Sequence, residues 1–362
     1  MYKSWWAKID YVLIFLVLIL VIYGLILIYS ASGQDLSPDG EFRRQLSYLA
    51  LGLLMLIICT AVNYEIFAGF ELYTYVFTLI ILVAVIFVGQ EALGAQRWIR
   101  IGFFSFQPSE FAKIFVIISM AVRLSKDDAL KLDNLAGTFI YLGLPMVLVM
   151  MQPDLGTALV LVAVLFTMLF VRGFNPLYIL GLVVAGAGVS PFLLKEYQKQ
   201  RLSVFLDPYS DPTGAGWNVI QSIVGIGSGK LWGRGLFSGT LTQLQFVPEH
   251  STDFIFAVLG EELGFVGGAS LILLYFFLLW KTIHIARQSR DLTGSLIATG
   301  ISAMFLFHIF INLGMAMGIM PATGIPLPFV SYGGSSLVAS LMACGLLLNI
   351  SLRREQFFKK SQ

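Results

Sequence analysis

Charge is what this chain has least of. Asp, Glu, Lys and Arg make up only 12% of its 362 residues, against 57% hydrophobic, and the mean hydropathy is +0.84. A soluble domain of this length could not cover so much apolar surface, so the chain falls in the integral membrane class. Cysteine is almost absent too. Cys59 and Cys344 both lie inside apolar runs and read as small core residues, which leaves no disulfide or metal framework. There is no basic surplus: the net charge is +2 and no Lys/Arg run has the form of a phosphate-tracking stripe, so nucleic acid is excluded as a partner. No stretch separates as a soluble domain, and no internal duplication is strong enough to argue inverted repeats.

What is abundant is long apolar runs. Runs able to cross about 30 Å of hydrocarbon at about 1.5 Å per residue occur near 10–31, 46–62, 72–89, 109–124, 137–152, 156–172, 176–194, 253–283, 294–320 and 335–351. The sequence thus predicts an all-α integral membrane protein, one polytopic domain over 1–362 with about ten transmembrane helices. The first run, Tyr11 to Tyr29, precedes "SASG", which resembles a signal-peptide cleavage site. At about 19 residues it exceeds the usual apolar core of a signal peptide, about 7 to 15, so an uncleaved first helix is expected. An even number of spans puts both termini on one side. That side collects Lys3, Lys8, Arg123, Lys126, Lys131, Arg172, Lys281, Arg287, Arg290, Arg353, Arg354, Lys359 and Lys360, whereas the short loops opposite hold chiefly Arg43, Arg44, Arg97 and Arg100. The asymmetry predicts cytoplasmic termini.

Two outside segments are more than connectors. Residues 90–108 are too polar to span and too aromatic for a simple loop, and read as a partly re-entrant or interfacial segment. The longer one, 195–252 between spans seven and eight, carries Lys195, Lys199, Arg201, Lys230 and Arg234 and is expected to fold over the membrane surface as a functional extracellular loop. Its "GIGSGKLWGRG" is no phosphate loop, because Leu231 follows Lys230 where Ser or Thr is needed.

The few charges in or beside spans need reasons, since an ionised carboxylate at a bilayer centre costs about 2.5–3.5 kcal/mol. In "PEHSTDFIFAVLGEELG" (248–264), Ser251 or Thr252 is placed to cap the eighth span, which puts Asp253 in its first turn. Asp253 is then either a favourable partner for the helix dipole or a proton acceptor held ionised at a water–lipid boundary. Glu261 and Glu262 read as structural. In "QPSEFAKIF", Glu110 and Lys113 stand at i, i+3 and form a local pair facing the bundle interior. Arg97, Trp98 and Arg100 read equally as an interfacial anchor or as a grip for a diphosphate. "QPDLGT" (152–157) makes a tight outer turn with Asp154 at the membrane face. His308 and Asn312, four apart, are expected to bond each other or neighbouring helices. "PATGIPLPFVSYGGSS" (321–336), with Ser331, is a rigid segment suited to line a cavity.

Together these stretches resemble the SEDS family (shape, elongation, division and sporulation), its elongation branch, RodA, more than its division branch, FtsW. The matching segments are "IDYVLIFLVLILVIYGLILIYSAS", "GAQRWIRIGFFSFQPSEFAKI", "QPDLGTALV", "FLDPYSDPTGAGWNVIQSIVGIGSGKLWGRG", "QLQFVPEHSTDFIFAVLGEELGFVGG" and "GIPLPFVSYGGSS". The family usually writes Pro-Glu-x-His-Thr-Asp. Here His250 comes one place early and Ser251 takes the usual His position, which leaves the role of His250 open while Asp253 still aligns.

The resemblance implies a peptidoglycan glycosyltransferase that polymerises lipid II into a nascent glycan strand on the outer face of the cytoplasmic membrane during elongation of rod-shaped cells. By the same likeness Asp253 is the catalytic carboxylate. The candidate substrate-binding residues are Arg97, Trp98, Arg100, Glu110, Lys113, Arg201 and Ser331, with Arg97, Arg100, Lys113 and Arg201 expected to contact diphosphate and Glu110 to orient Lys113. Asp154 helps to hold a divalent cation, Mg or Mn. A class B penicillin-binding protein, the rod-shape complex and membrane lipid are the implied partners. The competing readings are a flippase for the lipid-linked precursor and a noncatalytic scaffold. The fourth and eighth spans are expected to pack so that Glu110, Lys113 and Asp253 share one outward-facing cavity.

Overall fold

The computed structural model describes residues 9–354 except 93–94, 102–103, 127, 129–131, 194–195, 215, 241–245 and 247. Lys3, Lys8, Lys131, Lys195, Lys359 and Lys360, and most of "QLQFV", lie outside the described residues. The α-helices among the described residues are α1 (Tyr11–Ala31), α2 (Glu41–Ala61), α3 (Tyr64–Gly69), α4 (Glu71–Val88), α5 (Pro108–Leu124), α6 (Leu132–Met151), α7 (Leu155–Arg172), α8 (Pro176–Leu193), α9 (Glu196–Leu206), α10 (Trp217–Ser228), α11 (Ile255–Arg287), α12 (Leu292–Ala316) and α13 (Gly334–Arg353). Seven of them, α1, α2, α4, α7, α11, α12 and α13, are long and apolar enough to cross a membrane. α5, α6 and α8 overlap the three remaining apolar runs of the sequence.

Burial sorts these helices into layers. The apolar windows of α12 and α13 are 83% and 94% buried, whereas those of α2 and α4 are 22% buried. Helices apolar on every side belong either inside the bundle or against lipid, and α12 and α13 form its axis. α13 packs along α2, and α12 packs against α11, α7 and α5. α8 is exposed along nearly its whole length and meets the bundle chiefly through α7.

The start of α1 and the end of α13 lie at one end of the bundle. Lys281 Nζ on α11 reaches Asp10 Oδ2 at 2.7 Å, and Ser351 donates to the same oxygen at 3.5 Å. Asn349 accepts from Tyr64 N at 3.1 Å and donates to the Cys59 and Thr60 carbonyls at 2.7 and 3.1 Å, which fixes the α2–α3 turn.

The opposite end holds two features that the sequence reading did not specify. The strands β1 (Gln90–Ala92), β2 (Ala95–Ile101) and β3 (Phe104–Phe106) form a small antiparallel meander, with Ile99 opposite Phe106. Ser335 at the start of α13 pins it, accepting from Gln107 N and donating to Ser105 O, both at 2.9 Å. The segment 195–252 is not a surface loop throughout. α10 runs down the first part of α11, and the turn after it meets α11 where that helix breaks at Gly264.

The break explains two of the unexpected charges. Backbone freed inside a membrane helix must find partners. Phe265 and Val266 donate to the Lys230 and Leu231 carbonyls at 2.8 and 3.1 Å, and Arg234 and Gly235 donate to the Glu261 and Glu262 carbonyls at 3.0 Å. The two carboxylates hold the same segment: Glu261 Oε1 lies 3.6 Å from Arg234 Nη1 and 3.3 Å from Thr240 Oγ1, and Glu262 accepts from the backbone of Phe237 and Gly239 and from Ser30 of α1. They are structural. Gly264 sits at φ 62°, ψ −158°, a region essentially open to glycine alone, and a Cβ there would lie 2.3 Å from Gly233 N. Gly264→Ala is therefore expected to cost about 1–3 kcal/mol or more, seen as earlier melting in detergent. Unchanged melting would show that the clasp carries no stability.

Candidate active site

The site is built on a turn rather than on a helix. Residues 249–254 close on themselves, with Thr252 N and Phe254 N donating to Glu249 O at 3.2 Å. Thr252 Oγ1 also donates to Glu249, to its carbonyl at 3.2 Å and its carboxylate at 2.9 Å. Thr252 is thus not a cap; Phe254 takes the N-cap position, without a side-chain bond. Asp253 stands just outside α11, not in its first turn as the sequence suggested.

The Pro/Gly segment 321–333 embraces this turn. Ser331 Oγ donates to Thr252 O at 2.6 Å and accepts from Leu327 N at 2.9 Å. Tyr332 N donates to Ser251 O at 2.8 Å. Asn312 Nδ2 donates to Asp253 O at 2.9 Å and to Ile325 O at 2.8 Å, tying turn and segment to α12. His250 Nε2 bonds the Ala31 carbonyl at 2.9 Å, so the displaced histidine anchors the turn to the end of α1. Gly324, at φ +73°, takes a backbone form that favours glycine, and a Cβ there would lie 3.6 Å from Asp253 Oδ2.

The Asp253 side chain is partly exposed. Desolvation raises its pKa from the ordinary 3.8 to about 6, and the nearby Glu249 charge adds to the rise; Arg201 and Arg97 oppose it, and Asp154 pushes the same way as Glu249. The structure therefore brings Arg97, Asp154, Arg201 and Asp253 into one electrostatic neighbourhood, with Glu249 as the strongest charge on the aspartate. Glu249 was missed because the sequence reading started the helix after it, and it is the turn at 249–254 that brings the two carboxyls together.

The other expected site residues divide. Arg97 is pinned, Nε donating to Gln152 O at 3.1 Å and Nη2 to Pro153 O, with Nη1 3.8 Å from Asp154 Oδ1. Strand alternation on β2 sends Trp98 and Arg100 to the face opposite Arg97. Arg201, on α9, donates to Ala322 O at 3.3 Å and stays exposed. Ser331 spends its hydroxyl on the turn. Glu110 and Lys113 are enclosed, 4% and 1% exposed, and paired at 2.8 Å. Lys113 Nζ continues to His308 Nε2 at 2.9 Å, and His308 Nδ1 to Pro326 O at 3.2 Å. The pair does not share an open cavity with Asp253 as expected. α12 stands between α5 and α11, and its His308 and Asn312 bond their neighbours rather than each other, linking the pair to the segment around Asp253.

Asp154 does not fit a metal ligand. It caps α7 through Thr157 N at 3.1 Å and takes Thr157 Oγ1 at 2.9 Å, Ser109 Oγ at 3.3 Å and Gln107 Nε2 at 3.4 Å, besides Arg97. Those donors occupy its lone pairs, and among the described residues no group of three or more His, Cys, Asp or Glu side chains is arranged to hold an ion. Its part is to fix the turn that holds Arg97.

Fold and site together define a multi-pass membrane protein with a partly exposed, arginine-flanked carboxylate at the loop-rich end of its bundle. The family described as "Cell cycle protein" (FtsW, RodA, SpoVE) matches residues 10–356, and the chain belongs to it. The chain is 39% identical over 366 residues to the peptidoglycan glycosyltransferase MrdB of Escherichia coli (strain K12), covering 99% of this chain and 98% of that one. It resembles a chain of a peptidoglycan synthase complex that coordinates polymerization and crosslinking, with a TM-score of 0.83 and 34% identity over 96% of this chain and 99% of the other. The rod shape determining protein RodA of Thermus thermophilus gives a TM-score of 0.75 at 30% identity, covering 98% and 99%.

Proposed function

We infer that the protein is a peptidoglycan glycosyltransferase acting in cell elongation, with lipid II as its substrate and Asp253 as its general base. Asp253 accepts the proton of the acceptor sugar's 4-hydroxyl as that oxygen bonds to the anomeric carbon of the lipid-linked donor. The bond from that carbon to the diphosphate breaks, and configuration inverts. A glycosidase needs a second carboxyl to protonate its leaving alcohol. A diphosphate leaves without one when cations meet its developing charge, the part given to Arg201 and Arg97.

The observation that carries this reading is the Asp253 carboxyl itself: partly open, with a pKa near the operating range, and flanked by two arginines. A base of this kind works best when its pKa lies close to ambient pH. The reading places the site on the outer face and both termini in the cytoplasm. Lys281, Arg353 and Arg354 at the Asp10 end support that orientation. A class B penicillin-binding protein within the rod-shape complex is the proposed partner, supported by the resemblance to the synthase-complex chain.

The test supplies purified protein with lipid II, in detergent and in sealed vesicles. Glycan polymer is the expected product. Precursor crossing the vesicle wall with no polymer formed would replace the reading with a flippase.

A further inference from the structure

A second cationic site lies on the far side of the 331–333 turn from Asp253. A groove of about 560 Å³ is lined by Arg43, Arg44 and Ser47 of α2, Arg100 of β2, and Pro38 and Asp39 of the preceding loop. Arg44 is committed, 3.6 Å from Asp39 and bonded to the Tyr332 side chain. Arg43 and Arg100 are exposed, and among the described residues neither has an ion-pair partner. Three arginines against one aspartate leave the groove strongly positive. Strand alternation turns Arg100 into it and Arg97 away, toward Asp253.

The turn between the two sites is bonded on both sides. Gln45, beside Arg44, donates to Ser331 O at 3.3 Å and accepts from Gly333 N at 3.3 Å. On the other side Tyr332 N and Ser331 Oγ hold the backbone of Ser251 and Thr252. Leu46 also lines the groove, and below it exposed Leu53 and Ile57 continue down the face of α2 that carries Arg43. The layout suits an anion at headgroup depth whose apolar tail lies in lipid.

Resting on the polymerase reading, we propose that this groove binds the diphosphate of the acceptor lipid, while the Arg97–Arg201 side of Asp253 takes that of the donor. The two substrates differ in one geometric respect. The donor's reacting carbon is bonded directly to its diphosphate, so that group must lie beside Asp253. The acceptor's 4-hydroxyl is separated from its own diphosphate by a whole disaccharide, so its anchor must lie apart from Asp253. The groove has the charge and the offset for that second anchor.

The test separates the two roles with a labelled lipid II whose 4-hydroxyl is blocked, which can only donate, coupled to unlabelled lipid II as acceptor. Arg43→Gln/Arg100→Gln is expected to raise the KM for acceptor about tenfold or more, as loss of charge-assisted hydrogen bonds implies, with the KM for the blocked donor unchanged. An equal rise for the donor, or no rise for the acceptor, would overturn the assignment. A binding arm stands apart from activity: Asp253→Asn protein in phosphatidylcholine nanodiscs is titrated with long-chain polyprenyl diphosphate. The paired arginine substitutions are expected to weaken that binding, and phosphatidylglycerol is expected not to compete. Competition by phosphatidylglycerol at equal mole fraction would mean that the groove takes any anionic headgroup, and would overturn the proposal. If wild-type protein forms no coupled product, the polymerase reading fails and the binding arm still decides the groove.

Discussion

Replacing Asp253 by Asn is expected to slow lipid II polymerisation by about 10²–10⁴-fold, the usual contribution of a positioned general base, in a protein that melts no earlier than wild type. The two halves of this expectation have one cause. Folding raises the Asp253 pKa from 3.8 to about 6, chiefly by desolvation. The folded state therefore holds that proton more tightly than the unfolded state does. Stability falls as pH rises from about 4 through about 6, and at neutral pH the folded protein carries a penalty of up to about 3 kcal/mol, reduced by the partial exposure. Asn keeps the shape and removes the charge, so it removes both the base and the penalty. Polymer assays beside thermal melts in detergent check this; lost activity with distinctly earlier melting would make Asp253 a structural residue.

Lys113→Ala is expected to destabilise the bundle by about 3–5 kcal/mol, because it leaves an enclosed carboxylate without its counter-charge. Glu110 is 4% exposed and its ion-pair partner is Lys113, at 2.8 Å. The neutral pair Glu110→Gln/Lys113→Met strands no charge and is expected to recover most of the melting temperature. Its polymerisation stays about tenfold slower, the loss of a buried hydrogen bond, because Met cannot donate to His308, which in turn meets Pro326 in the segment around Asp253. On this account Lys113 is a positioning residue, and its loss is expected to lower kcat while KM for lipid II is kept. A raised KM with kcat unchanged would show direct contact with substrate.

The spans were readable because a helix in lipid must be apolar over its whole crossing, whatever it packs against. Even the chemistry of the Glu110–Lys113 pair could be anticipated, since spacing alone brings the two together. Other features depend on meetings between distant parts of the chain. The break at Gly264 is held by backbone near residues 230–235, and nothing in either stretch alone announces the clasp. Arg97 and Arg100 read together in the sequence, equally as an interfacial anchor or a diphosphate grip, and β2 places them on opposite faces. The charge state of Asp253 was assigned to a helix N-terminus, but the turn at 249–254 keeps it off the helix, and burial beside Glu249 raises its pKa instead. Ser331 and Asp154, which by resemblance belonged to substrate and metal, spend their bonds holding the Asp253 turn and Arg97.

The most direct measurement is the rate of lipid II polymerisation from about pH 5 to about pH 8, where a base with a pKa near 6 titrates, in wild type and Glu249→Gln. Wild type should lose rate on the acid side with a midpoint near the Asp253 value of about 6. Removing the neighbouring negative charge should move that midpoint to lower pH. A rate independent of pH across this range, or an acid limb that stays in place when Glu249 is neutralised, would contradict Asp253 as the base.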